Sequence, residues 1–138
     1  MNIYFAGAIR SGREKQAIYE AIIKILKKYG KVLTEHVGNK NLTLDGERLS
    51  DQKIYKRDMK FFKDTDVLVA EISTPSLGVG YEIARAEMLG KKVLCLYNLD
   101  AKHKISGIIG GDPNVTLQKY ANISEAEKFI EEFFKSLH

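Results

Sequence analysis

At 138 residues, with 44% hydrophobic and 29% charged residues, the chain has the length and balance of one globular domain with a real core. No apolar run approaches the roughly 20 residues that span a bilayer, and Met1-Asn2-Ile3 enters a strand pattern without a basic leader. A cytoplasmic protein without a membrane partner is expected. The net charge of +4 comes with lysines spread over helix surfaces and no interleaved aromatics, which argues against a nucleic-acid polymer as partner.

Strand and helix patterns alternate. Asn2–Gly7 is a short apolar strand, and Ile18, Ala21, Ile22, Ile25 and Tyr29 then share one face of a helix that stops at Gly30. Lys31–Val37 reads as the second strand. Residues 38–49 are polar and irregular and read as a mobile loop. Ser50 is expected to cap a helix running to about Asp64, with Ile54, Met59, Phe61 and Phe62 on its buried side.

Asp66–Ile72 is the third strand. A Ser/Gly loop follows, then a helix from about Ile83 to Gly90 that carries Glu82 in its first turn, where free backbone N–H groups favour a carboxylate or a phosphate. Val93–Tyr97 is the fourth strand, with the single cysteine, Cys95, inside it as a buried thiol. Residues 98–114 are loop-rich, with a short helical piece at Ile105–Ile109. Val115–Tyr120 is the fifth strand. Ser124 and Glu127 read as a capping box for a last helix whose stripe is Ala126, Phe129, Ile130, Phe133 and Leu137. The expected fold is α/β: residues 1–138 as a single Rossmann-like or flavodoxin-like domain, a parallel five-stranded sheet flanked by helices.

Two loops at strand ends could enclose an anion. Gly7-Ala8-Ile9-Arg10-Ser11-Gly12-Arg13 is neither a dinucleotide fingerprint nor a P-loop, but it offers backbone donors and the Arg10 guanidinium. Ser76 to Gly80 is the second. Glu82 and Asp58 can reach one crevice, and paired carboxylates are a general solution for cleaving a glycosidic bond. On local grounds Asp58 also reads as a surface acid beside Lys56 and Arg57, and Tyr4 as a core residue whose phenol needs a partner. His36 is a candidate base or binding residue. His36, His103 and His138 are scattered, so no metal is expected, and nothing asks for a cofactor.

Taken together, Tyr4 to Arg13, Tyr29 to Val37, Arg57-Asp58, Asp66 to Glu71 and Pro75-Ser76-Leu77-Gly78-Val79-Gly80-Tyr81-Glu82 resemble the 2′-deoxynucleoside 5′-monophosphate N-glycosidases. These form a branch of the nucleoside 2-deoxyribosyltransferase superfamily. The resemblance implies hydrolysis of the base–sugar bond of a deoxynucleoside monophosphate. It implies Glu82 as nucleophile at C1′, Tyr4 as its orienting group and Asp58 as the helper of the leaving base and of water. It further implies that Gly7, Ala8, Ile9, Arg10, Ser11, Gly12 and Arg13, with Ser76 and Gly78, hold sugar and phosphate, and that His36 lines the base side. Ser106 would serve the neighbouring site of a homodimer. Ala8 stands where better-known members have a serine. Two other readings stay open: a deoxyribosyltransferase, whose members carry an acid where this chain has Ser76-Leu77-Gly78, and a non-catalytic nucleotide-binding module.

Overall fold

A computed structural model describes residues 1–9, 16–38 and 48–138. Strands β1 (Asn2–Ala6), β2 (Lys31–Val32), β3 (Val67–Glu71), β4 (Lys92–Asn98) and β5 (Val115–Tyr120) alternate with helices α1 (Gln16–Leu26), α2 (Asp51–Asp64), α3 (Leu77–Met88), α4 (Gly107–Gly110) and α5 (Ile123–Ser136). All strands are parallel, in the order β2-β1-β3-β4-β5. This is the flavodoxin-like order, in which the chain reverses direction between β1 and β3 and leaves a crevice beyond those strand ends.

Strand alternation divides the core into two layers. Ile3, Phe5, Val67, Val69, Leu94 and Leu96 face α1 and α5, whereas Tyr4, Ala6, Leu68, Ala70, Val93 and Cys95 face Phe62 of α2 and Val79, Ile83 and Ala86 of α3. A strand covered on both faces reads as a continuous apolar run, which is why β3 and β4 are so plain in the sequence.

The second strand is shorter than its pattern suggests. Its ladder ends after Leu33 N–H donates to the Ile3 carbonyl at 2.9 Å. The Thr34 side chain then takes over: its hydroxyl accepts from Phe5 N–H at 2.8 Å and donates to the Phe5 carbonyl at 2.7 Å. With the neighbouring strand's groups satisfied by a side chain, the backbone turns into a single 3₁₀ turn, Glu35–Gly38. His36 therefore sits on a turn rather than in a strand.

Other ends also shift. Helix α1 stops at Leu26, and Gly30 matters for space: a Cβ there would lie 2.2 Å from the Met1 carbonyl oxygen. Gly90 has φ 73° and closes α3 by donating to Glu87, while Lys91 N–H returns to Ala86. The last helix begins two residues before the expected box, with Asn122 accepting from Glu125 N–H at 3.0 Å and Glu125 accepting from Ala121 N–H at 2.7 Å. The short helix after β4 spans Gly107–Gly110 rather than 105–109. Most of the expected loop at 38–49 lies outside the described residues.

Candidate active site

The crevice beside β1 and β3 opens into a cleft of about 560 Å³, within the roughly 300–1,000 Å³ of small-molecule sites. Four elements build it, the Glu35–Gly38 turn contributing His36 and Val37. Strand β1 supplies Tyr4 and the exit at Gly7, α3 supplies Ser76, Gly78 and Glu82, and α2 supplies a helical stripe. Asp51, Ile54, Tyr55, Asp58 and Phe62 recur every three or four residues along α2, so one face of the helix looks into the cleft.

Tyr4 is the floor. Its ring stacks on Phe62 with centroids 4.4 Å apart and planes at 18°. Its hydroxyl lies beside the Glu82 carboxylate. Burial raises the phenol well above its ordinary pKa, the negative charges of Glu82 and Asp58 raise it further, and only Arg57 opposes them. Tyr4 is thus a neutral hydroxyl beside a carboxylate, protonated and able to donate to it.

Asp58 is not an ordinary surface acid. Adjacent helical residues do not normally face one another, yet Arg57 folds across so that its Nε and Nη2 both reach Asp58 Oδ1 at 3.0 Å. Both side chains are about a quarter exposed or less, at 25% and 20%. Two donors of one guanidinium thus converge on a single oxygen of Asp58 inside the cleft.

The start of α3 corrects one expectation. Ser76 is the N-cap and its hydroxyl accepts from Val79 N–H at 3.3 Å, so Leu77 to Gly80 are helix rather than loop. Glu82 consequently falls in the second turn, where the field of the helix N-terminus has weakened, and the Tyr4 phenol lies beside it. Gly78 leaves the approach to it open. A Cβ on Gly78 would stand 3.9 Å from Glu82 Oε1 and 3.8 Å from Ser76 Oγ.

Of the residues singled out from the sequence, Tyr4, Gly7, Ile9, His36, Asp58, Ser76, Gly78 and Glu82 line this one cleft. Ala8 does not: it is buried, and its N–H donates to the Tyr19 hydroxyl at 3.1 Å. Arg10, Ser11, Gly12 and Arg13 lie outside the described residues. Ser106 sits at the N-cap of α4 without making a side-chain cap, exposed in a second hollow of about 720 Å³. The two hollows share Ser76, Leu77 and Tyr81. Arg57, Tyr55 and Tyr81 went unrecognised in the sequence. The α2 stripe was visible there, but Ile54 and Phe62 read as core because a cleft face and a core face share the same periodicity. Among the described residues, no group of three or more His, Cys, Asp or Glu side chains could hold a metal ion, and no helix is long and apolar enough to cross a membrane.

Among solved structures, a CMP N-glycosidase from Clostridium botulinum shares the fold, with a TM-score of 0.65 and 22% identity over 95% of this chain and 99% of that one. A conserved protein from Enterococcus faecalis does so at 0.61 and 17% over 96% and 98%. Sequence relatives are nearer. A 5-hydroxymethyl-dUMP N-hydrolase from Danio rerio is 43% identical over 99% of this chain and 98% of its own length, and one from Rattus norvegicus is 41% identical over 98% and 85%. The model of the nucleoside 2-deoxyribosyltransferase family matches residues 3–132, from β1 into α5. That match spans every element of the cleft just described, and this chain belongs to the nucleoside 2-deoxyribosyltransferase family.

Proposed function

We propose that this protein hydrolyses the N-glycosidic bond of 2′-deoxynucleoside 5′-monophosphates, releasing the base and 2-deoxyribose 5-phosphate, with residues 1–138 as one catalytic domain working in the cytoplasm. The observation that carries the reading is one cleft lined by Glu82, Asp58, Arg57 and a protonated Tyr4, the phenol lying beside the Glu82 carboxylate. Glu82 attacks C1′ and forms a glycosyl-enzyme, Tyr4 keeps its carboxylate aimed, and Asp58 guides a proton to the leaving base and then activates water. The missing 2′-hydroxyl of the sugar eases charge build-up at C1′, so the carboxylates need no metal. Relatives named as N-hydrolases at 41–43% identity support the reaction class.

Ser76 and Gly78 suit a phosphate where an acid would repel it. The test is to incubate the protein with deoxynucleoside monophosphates, and with the corresponding deoxynucleosides, and follow free base. Monophosphates should turn over at least about a hundredfold faster in kcat/KM. A requirement for an acceptor base would instead establish sugar transfer, the reaction for which the family is named, and equal rates with and without the phosphate would favour that reading. Binding without turnover would make the protein a nucleotide-binding module.

The same reading extends to a homodimer in which Ser106 serves the neighbouring site. Its support is the outward face of α3, where Leu77 is 98% and Met88 86% exposed, continuous with Ile108 and the hollow that holds Ser106. A two-fold partner would cover this stripe. Mixing Ser106→Ala with Glu82→Ala subunits should restore activity, because one site of the mixed dimer carries both lesions and the other neither. A fully active monomer would end the shared-site idea.

A further inference from the structure

On the face of the sheet turned away from Tyr4 lies a second glutamate that the proposed chemistry does not use. Glu71 ends β3 and is 0% exposed. Its Oε1 accepts from Ser73 N–H at 2.7 Å, and its Oε2 accepts from the Ser73 hydroxyl at 2.8 Å and from the Tyr120 hydroxyl. The Ser73 hydroxyl in turn accepts from Asn98 N–H at 2.8 Å.

The proton directions follow from this chain. Asn98 occupies the serine oxygen as a donor, so the single serine proton goes to Glu71. Each of these partners gives a proton to the carboxylate, and an ionised carboxylate is the side chain that only accepts. A glutamine would turn an NH₂ toward a donor. A buried carboxylate is costly unless so satisfied, so its presence needs a reason.

Its placement supplies one. Asn98 ends β4 and Tyr120 ends β5, so the carboxylate gathers the exits of three neighbouring strands. Ser73 belongs to no strand. It lies in the connection from β3 to Ser76, the residue that caps α3, and both Ser73 and Thr74 are buried. Whatever fixes Ser73 therefore fixes where α3 starts, and with it the reach of Glu82 toward Tyr4.

We propose that Glu71 is a positioning residue for the cleft, acting through Ser73 on the start of α3 and touching no substrate. The kinetic half of this inference rests on the proposed glycosidase reading. A reacting carboxylate displaced by about 1 Å can cost on the order of a hundredfold in rate, whereas binding tolerates more. Glu71→Gln should lower kcat by roughly 30-fold or more while KM moves less than about threefold. Tyr120→Phe keeps the carboxylate and both Ser73 bonds, so it should fold and lose roughly three- to tenfold in kcat.

Amide hydrogen exchange gives the readout that does not depend on activity. In both variants exchange should quicken by about tenfold or more at Ser73 and Val79, and stay unchanged at Leu94 in the central strand. A folded Glu71→Gln protein with wild-type kcat overturns the inference. So does exchange that quickens equally at Leu94, since that marks general loosening. Should the wild type fail to hydrolyse deoxynucleoside monophosphates, the glycosidase reading falls, and exchange at Ser73 and Val79 alone still decides the link from Glu71 to α3.

Discussion

Two tyrosine–glutamate pairs sit on opposite faces of one sheet and have opposite fates. Tyr4 and Glu82 meet at the wall of an open cleft. Tyr120 and Glu71 meet in a sealed interior. In both, burial and the adjoining carboxylate raise the phenol, so each tyrosine stays protonated and donates. The difference lies around the carboxylates. Glu71 receives Ser73 and Tyr120 in a space with no opening, so its capacity goes into holding strand ends together. Glu82 is only half-buried, with the bare Cα of Gly78 beside it and space in front. The same pair of side chains is a fastener where it is closed in and, on the proposed reading, a reactive group where it is left approachable.

Removing each carboxylate breaks the comparison most sharply. Glu82→Ala should cost several powers of ten in turnover, as losing a covalent nucleophile does, with little change in Tm. Glu71→Ala should strand the Ser73 and Tyr120 donors at a cost of about 3 kcal/mol or more, lowering Tm by roughly 10 °C. Thermal melts and base-release assays on the two purified variants check this, and a reversal of the pattern would undo the comparison.

Approachability can be closed by one substitution. Gly78→Asp places a carboxylate against Glu82 and, on the proposed reading, beside the substrate's phosphate. Like charges favour protonation, so the acid limb of the kcat/KM profile should move up by about one pH unit, and kcat/KM for a monophosphate should fall by about a hundredfold, more than for the deoxynucleoside. An unchanged profile would mean that Gly78 does not guard Glu82.

Tyr4 predicts a smaller effect with a definite sign. Its phenol is raised, so the donor survives above the usual tyrosine range near about 10. Tyr4→Phe should lower kcat by roughly tenfold, yet its kcat/KM profile should run parallel to wild type up to about pH 10. For stability the sign is that of a raised group: its contribution is whole below about pH 10 and is lost as pH climbs beyond. Urea midpoints of the wild type should therefore fall above that pH, and those of Tyr4→Phe less.

The smallest effect belongs to Cys95. Burial pushes its thiol up to about 12, and it packs between the sheet and α3. At about pH 8 a thiol reagent should label it orders of magnitude more slowly in the native protein than in concentrated guanidinium. Rapid native labelling would show that this layer opens.

Sequence alone determined the layered architecture, because apolar runs and helical stripes are local and periodic. The residues of β5, the capping by Ser50 and the stop at Gly90 could all be read directly. Of the cleft residues, Tyr4, Gly7, Ile9, His36, Asp58, Ser76, Gly78 and Glu82 were singled out from the sequence, largely through the resemblance of whole segments to a family, while Tyr55, Arg57 and Tyr81 were not. What only tertiary structure decided depends on groups distant in the chain. Thr34 ends β2 early by bonding Phe5. Ser76 begins α3 where small residues suggested a loop. Arg57 turns back onto Asp58. Glu71, the last residue of an apolar run, carried no local sign of its partners: Ser73 is near in sequence, but Tyr120 reaches it only because β4 lies between β3 and β5. Periodicity records which face of an element is buried, and strand order decides what that face meets.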